Sequence, residues 1–389
     1  MTWDIFCKVV DNFGDVGVCW RLARQLAAEH GLSVRLWVDD PAPLAALAPE
    51  NMAGVRVCRW ETPLVFDRVA EVVIEAFACA LPENYVRAMA GRSPPPVWIN
   101  LDYLGLADWV AGCHGMASPH PRLPLVKYFF FPGFTAQTGG LLRERDLFVR
   151  QAGFRARDEL LADKAAPSGA LRRLPQGGKL SMAPSLREVA RKDRGSGVVS
   201  IPVTNDTLLV SLFCYDSAPF APLLAAWVDD NAPLICLVPP GKPLVVVRAC
   251  LEGDAPWTIG NVHIIPIPFL TQNDYDELLF ACDLNFVRGE DSFIRAQWAG
   301  KPFVWQIYPQ DADAHLQKLA AFLDRYRPDP CLVHFWQAWN RGDASLKQDW
   351  PLLRQALPRL ARHNAAWRKK LTGQEDLASA LVNFCATRV

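Results

Sequence analysis

The chain has no charge surplus of either sign. Its 41 lysines and arginines are balanced by 41 aspartates and glutamates over 389 residues. No global field draws it to nucleic acid or to a membrane surface, although local charge can still meet a compact anion. It also lacks any apolar run close to the ~18 residues that a bilayer requires. The start of the sequence does not show the charged-then-apolar pattern of a signal peptide. These absences lead us to expect a soluble, cytoplasmic protein with no direct nucleic-acid or membrane partner. Cys-x-x-Cys pairs are missing. The 11 cysteines are scattered and odd in number. Several (Cys7, Cys214, Cys236, Cys282) fall in apolar strands, as buried free thiols of a reducing compartment do. Cys113, His114 and His120 make a poor zinc set, because adjacent ligands rarely reach one ion together. Gly-x-Ser-x-Gly, the phosphate-binding Gly-x-x-x-x-Gly-Lys-Ser/Thr and His-Glu-x-x-His are all absent, which removes the usual support for hydrolase, P-loop and zinc-protease readings.

What is present is apolar alternation. Hydrophobic residues make up 51% of the chain and 14 are tryptophan, enough for two α/β domains or one large one. The first half runs WDIFCKVV, a Gly-containing turn, the helical CWRLARQLAAEHG, then LSVRLWVDD, GVRVCRW, EVVIEAFA and PPVWINLDY. Short strands alternating with helices imply βαβ units and a mostly parallel sheet. From about residue 160 the composition turns to Pro, Gly, Ser and basic residues, with one short helix expected near Ser185–Lys192. TLLVSLFCY restarts the alternation, and after Ala312 the chain reads as helical. We therefore expect an α/β domain over 1–160, a polar linker over 161–205, a second α/β domain over 206–365, and a C-terminal helix over 366–389 able to pack back on the first domain. Ligands favour the interface of two such domains.

The most informative stretch is CDLNFVRGEDSFIRAQWAGKPFVWQIYPQ, Cys282 to Gln310. It reads as strand, tight turn, helix, Gly stop, strand, with Asp291 or Ser292 able to cap the helix. In open α/β sheets ligands bind at the carboxyl ends of strands. A helix starting there offers free N–H groups to a phosphate or diphosphate, so Arg288–Ser292 is a candidate anion site. The same residues also serve an ordinary βα turn, and Glu290 and Asp291 would repel phosphate unless Arg288 offsets them.

Three other stretches carry candidate chemistry. DNFGDVG, Asp11 to Gly17, sets two carboxylates four residues apart on a loop between the first strand and helix. Such a pair can clamp a cation and take its proton; it can equally be a solvated turn with Asp15 as cap. Phe269 and Gln272 can stack on and hydrogen-bond a planar base, or be a core Phe and a surface Gln. Tyr215 and Tyr308, each ending a strand, are candidates for the same place. KYFFFPGFTAQTGGLLRE reads as a buried strand followed by a loop whose Gly139, Gly140 and Arg143 either line an acceptor pocket or have no role.

DNFGDVGVCWRLARQLA, CHGMASPHPRLPLVKYFFFPGFTAQTGGLLRE, VSLFCY and PFLTQNDYDELLFACDLNFVRGEDSFIRAQWAGKPFVWQIYPQ through HLQKL together resemble the EarP family. These are the protein-arginine rhamnosyltransferases of bacterial elongation factor P. The resemblance spans most of the chain outside the linker, and RGEDSF with RAQWAGKPFVW is its most specific part. It implies a GT-B glycosyltransferase, two Rossmann-like domains facing a cleft, that inverts the anomeric centre of dTDP-β-L-rhamnose. It implies elongation factor P as protein acceptor, dTDP-rhamnose as donor substrate, and no cofactor or metal. By the same resemblance Asp15 is the general base, Asp11 orients the acceptor, and Asn12, Phe13 and Gly14 complete the acceptor loop. Glu290 is a third essential carboxylate near the donor. Arg288, Asp291 and Ser292 bind diphosphate, and Tyr215, Phe269, Gln272 and Tyr308 surround the nucleotide. NLDYLG at 100–105 departs from the pattern, with Asp102 where glutamate is expected, and the linker is longer and more basic. Other readings are a nucleotide-sugar 2-epimerase, a small-molecule glycosyltransferase, or a non-enzymatic partner of the translation factor that senses a nucleotide sugar.

Overall fold

The computed structural model describes residues 1–10, 13–47, 52–153, 206–310 and 314–388. The chain divides into two compact units, Met1–Arg145 with Lys369–Val389, and Asp146–Arg368. The expected linker at 161–205 and its short helix lie outside the described residues, as do Asp11 and Asn12.

In the first unit β1 (Thr2–Cys7) leads to α1 (Gly14–His30). It continues through β2 (Ser33–Val38), α2 (Ala42–Leu47), β3 (Val55–Arg59), β4 (Val72–Ala76), α3 (Glu83–Ala90), β5 (Val97–Leu101), α4 (Trp109–Cys113), β6 (Ala117–Pro119) and β7 (Val126–Phe130). The strands form one sheet in the order β3-β2-β1-β4-β5-β7-β6. All neighbours are parallel except the β6–β7 pair. Alternate side chains of β1 serve the two faces, as pleating requires. Trp3, Ile5 and Cys7 join a core with Val16, Leu22 and Leu26 of α1, and Phe6 joins Trp37, Tyr85 and Trp98 on the other side. Each fully buried leucine of this kind contributes about 1.5–3 kcal/mol. Gly31, at φ 65°, closes α1 by donating its N–H to carbonyls of the last turn. β7 is not the buried strand that its aromatic run predicts. Beside the edge strand β6 it buries only Phe130 and leaves Val126 exposed.

The second unit contains α5 (Leu147–Gly153), β8 (Leu208–Leu212), α6 (Phe220–Asp229), β9 (Leu234–Val238), α7 (Lys242–Cys250), β10 (Trp257–Ile259) and β11 (Val262–Pro266). After these come α8 (Gln272–Ala281), β12 (Leu284–Arg288), α9 (Asp291–Ala299), β13 (Phe303–Gln306), α10 (Ala314–Tyr326), α11 (Pro330–Arg341) and most of α12 (Leu346–Thr372). The sheet order is β10-β11-β9-β8-β12-β13, parallel except at β10. Its core is aromatic: Phe293 stacks on Trp305 at 3.8 Å, and Phe322 packs edge-on against Phe293 at 4.8 Å. The last helix, α13 (Leu377–Ala386), buries Leu377 and Leu381 in the core of the first unit.

Both sheets reverse strand order in the doubly wound manner, between β1 and β4 in one unit and between β8 and β12 in the other. Such switch points open a crevice at the carboxyl ends of the strands. Among the described residues no helix is long and apolar enough to cross a membrane.

Candidate active site

The second unit gathers its candidates around the end of β12. Arg288 is the last residue of that strand, and Gly289 turns the chain with φ 60°. Trp305 donates from its indole N–H to the Gly289 carbonyl at 2.7 Å, and Gly289 N–H donates to the Gln306 carbonyl at 3.2 Å. The turn is thus tied to the neighbouring strand. The helix cap is not Asp291 or Ser292, as the sequence suggests. Glu290 holds the N-cap position of α9 without a side-chain cap bond. Ser292 lies in the first turn, where its hydroxyl accepts from Arg288 N–H at 3.0 Å and donates back to the Arg288 carbonyl. The hydroxyl therefore fixes the turn instead of the helix end. The Arg288 guanidinium lies 4.6 Å from the Phe213 ring centre and 4.5 Å from that of Tyr215. Its Nη1 is buried with no hydrogen-bond partner among the described residues. A cation over two aromatic rings, with one donor unpaired among the described residues, is suited to an anionic oxygen.

Tyr215 follows β8 and is buried; its N–H donates to Gln306 Oε1 at 2.8 Å. Tyr308 meets it edge-on at 5.5 Å and is 49% exposed. Tyr308 lies beyond the strand it was expected to end, because Ile307 N–H donates to the Asn340 side chain at 2.9 Å instead of to the sheet. Phe269 stands after β11 with its ring 41% exposed. Gln272 is buried at the first position of α8, just after the Thr271 cap. Tyr215, Arg288, Ser292 and Tyr308 form one contiguous group. Phe269 and Gln272 stand at the carboxyl edge of the same sheet.

In the first unit Asp15 is the second residue of α1, with Gly14 before it and Phe13 at the N-cap position. It is not the cap. Its carboxylate is buried and accepts from Val10 N–H at 3.1 Å and from the Tyr103 hydroxyl at 3.4 Å. Tyr103, which sequence reasoning did not single out, follows β5 and stacks on Phe77 at 4.5 Å. Phe77 follows β4 at φ 56°, a conformation rare for a bulky side chain. Asp102, the departure noted in the sequence, accepts from Tyr103 N–H at 2.8 Å and so steadies the residue that reaches Asp15. Asp15, Tyr103 and Phe77 therefore meet beside the switch point of the first sheet.

The Gly139–Arg143 loop is not an acceptor pocket. Arg143 donates to the carbonyls of Thr372 and Gln374 at 3.0 and 3.1 Å, and a side chain at Gly140 would stand 2.1 Å from the Glu375 carbonyl oxygen. The loop clamps the C-terminal segment. His114 and His120 each spend Nδ1 accepting backbone N–H groups, and burial lowers the His114 pKa. Among the described residues no cluster of three His, Cys, Asp or Glu is arranged to hold a metal ion. All eleven cysteines are free thiols, and burial pushes Cys214 up to about 12.

Residues 3–386 match the family model described as elongation-factor P (EF-P) rhamnosyltransferase EarP. The chain belongs to the EarP family. It is 44% identical to the protein-arginine rhamnosyltransferase of Pseudomonas putida, over 98% of each chain. The corresponding enzyme of Pseudomonas aeruginosa is 41% identical over 99% of each. A solved structure concerned with EarP-mediated arginine glycosylation of translation elongation factor EF-P superposes with a TM-score of 0.63 and 33% identity, over 100% of this chain and 99% of that one. A protein of O. sativa, Os79, solved in complex with UDP, shares only 12% identity but reaches a TM-score of 0.53 over 99% of both chains, a likeness of fold. The fold class is GT-B, built from two Rossmann-like units.

Proposed function

We propose that this EarP member transfers L-rhamnose from dTDP-β-L-rhamnose to one arginine side chain of elongation factor P, with inversion at the anomeric carbon. The observation that carries the donor half is the Arg288 guanidinium, over the rings of Phe213 and Tyr215 just before α9, with Nη1 unpaired among the described residues. A nucleotide diphosphate placed there meets that cation and the N–H groups of the first helical turn. Phe269 and Gln272 then take the thymine by stacking and hydrogen bonding, and Tyr215 and Tyr308 flank the nucleotide.

The acceptor is chemically difficult. A free guanidinium stays protonated, with a pKa above ~12, and a cation is a poor nucleophile. Asp15 supplies a buried carboxylate to bind it and aim one nitrogen at the sugar; Asp11 is the proposed second carboxylate. As the C–N bond forms, the C–O bond to the β-phosphate breaks. The attacking nitrogen becomes acidic and its proton passes to Asp15. The departing dTDP gathers negative charge, which Arg288 and the α9 N-terminus stabilise. These donors fill the place a metal would take, so the reading calls for neither metal nor cofactor. Attack from the face opposite the leaving group inverts the centre in one step.

Intact-mass measurement of elongation factor P incubated with the protein and dTDP-β-L-rhamnose tests the proposal. One added deoxyhexose on a single arginine, α-linked by NMR, is the expected result. Donor consumption without a modified protein would point to a different nucleotide-sugar enzyme and sink it.

A further inference from the structure

Glu290 poses an electrostatic problem. It holds the N-cap position of the helix whose N-terminus is proposed to face a diphosphate, and a carboxylate there opposes the ligand's charge. A residue far along the chain answers it. Lys318 of α10 places Nζ 2.9 Å from Glu290 Oε1, and both side chains are mostly buried.

The pairing is built on a rigid base. Glu290 lies three residues before Phe293 on α9, and Lys318 lies four residues before Phe322 on α10, so each charge stands over its own aromatic residue on the same helix face. Phe293 and Phe322 are fully buried and pack edge-on at 4.8 Å. The start of α10 is anchored where Gln310 N–H donates to His315 Nδ1 at 3.2 Å.

We propose that Lys318 is a positioning residue for donor binding. It neutralises the Glu290 carboxylate and holds it in one orientation, so that a carboxylate at the head of this helix can sit beside a diphosphate without repelling it. The role is exerted through Glu290, and it rests on the donor reading above.

The test is the affinity for dTDP, by calorimetry, of the wild type, Lys318→Met, Lys318→Arg, Glu290→Gln and the Lys318→Met/Glu290→Gln double variant. Lys318→Met is expected to weaken dTDP binding about tenfold, since it removes a cation that offsets a carboxylate near the ligand. Lys318→Arg keeps most of the affinity. The double variant binds as well as Glu290→Gln alone, because there is no longer a charge to neutralise. A partly exposed ion pair adds little stability, so the melting temperature of Lys318→Met should stay within a few degrees of wild type. Unchanged dTDP affinity in Lys318→Met, or an equal loss in the Glu290→Gln background, overturns the assignment. A wild type that binds no dTDP overturns the donor reading itself, which is a separate result.

Discussion

The turn after β1 and the turn after β12 share a plan and differ in charge. Each follows a parallel strand beside the switch point of its sheet and precedes a helix. In the first unit the charged group is a carboxylate, Asp15, held by a backbone N–H and a tyrosine hydroxyl. In the second it is a guanidinium, Arg288, held by two aromatic faces. A helix N-terminus favours anions in both places. The second turn adds to that preference and suits a diphosphate. The first sets a fixed negative charge against it and suits a cation that must lose a proton. In the proposed reaction one local architecture thus serves the acceptor in one unit and the donor in the other, and the charged side chain beside the turn decides which.

Asp15→Asn breaks the comparison most severely. It preserves shape and most hydrogen bonding but removes the charge and the proton acceptor. We expect kcat to fall roughly 100- to 10,000-fold, the range of a lost general base, with dTDP affinity unchanged. Turnover near wild type in a rhamnosylation assay would take Asp15 out of the chemistry. Arg288→Ala is the matching change in the other unit. It removes the cation proposed to meet the leaving group, so kcat should fall about 100-fold, as when an anion-stabilising donor is lost, and dTDP binding should weaken with it. If only kcat changes and the dTDP affinity measured by calorimetry is intact, Arg288 is not a ground-state contact of the diphosphate.

How much of this was legible depended on distance along the chain. The β12–α9–β13 unit was readable because its signals are local: an apolar run, Gly289 in the turn, Gly300 and Pro302 at the helix end. What failed was pairing across the sequence. Arg143 read as a loop residue that either lines a pocket or has no role, yet it donates to carbonyls 229 and 231 residues away. The counter-ion of Glu290 lies 28 residues on, and the hydroxyl that reaches Asp15 comes from 88 residues on. Caps and strand ends missed by one or two residues because side chains such as Ser292 and Asn340 compete for the backbone groups that define them.

Tyr103→Phe is the smallest change and sharpens the first turn most. It deletes one hydroxyl and leaves the ring free to keep stacking on Phe77. The hydrogen bond it removes is long, 3.4 Å, so its net worth belongs at the low end of the usual ~0.5–1.5 kcal/mol. A two- to fivefold loss in kcat follows, roughly the rate equivalent of that energy. Donor affinity should not move, because Tyr103 belongs to the unit that carries Asp15. If the hydroxyl instead binds the acceptor directly, the loss will appear in the KM for elongation factor P with kcat preserved. Steady-state kinetics with the protein acceptor varied separates the two, and decides whether Tyr103 holds the base or the substrate.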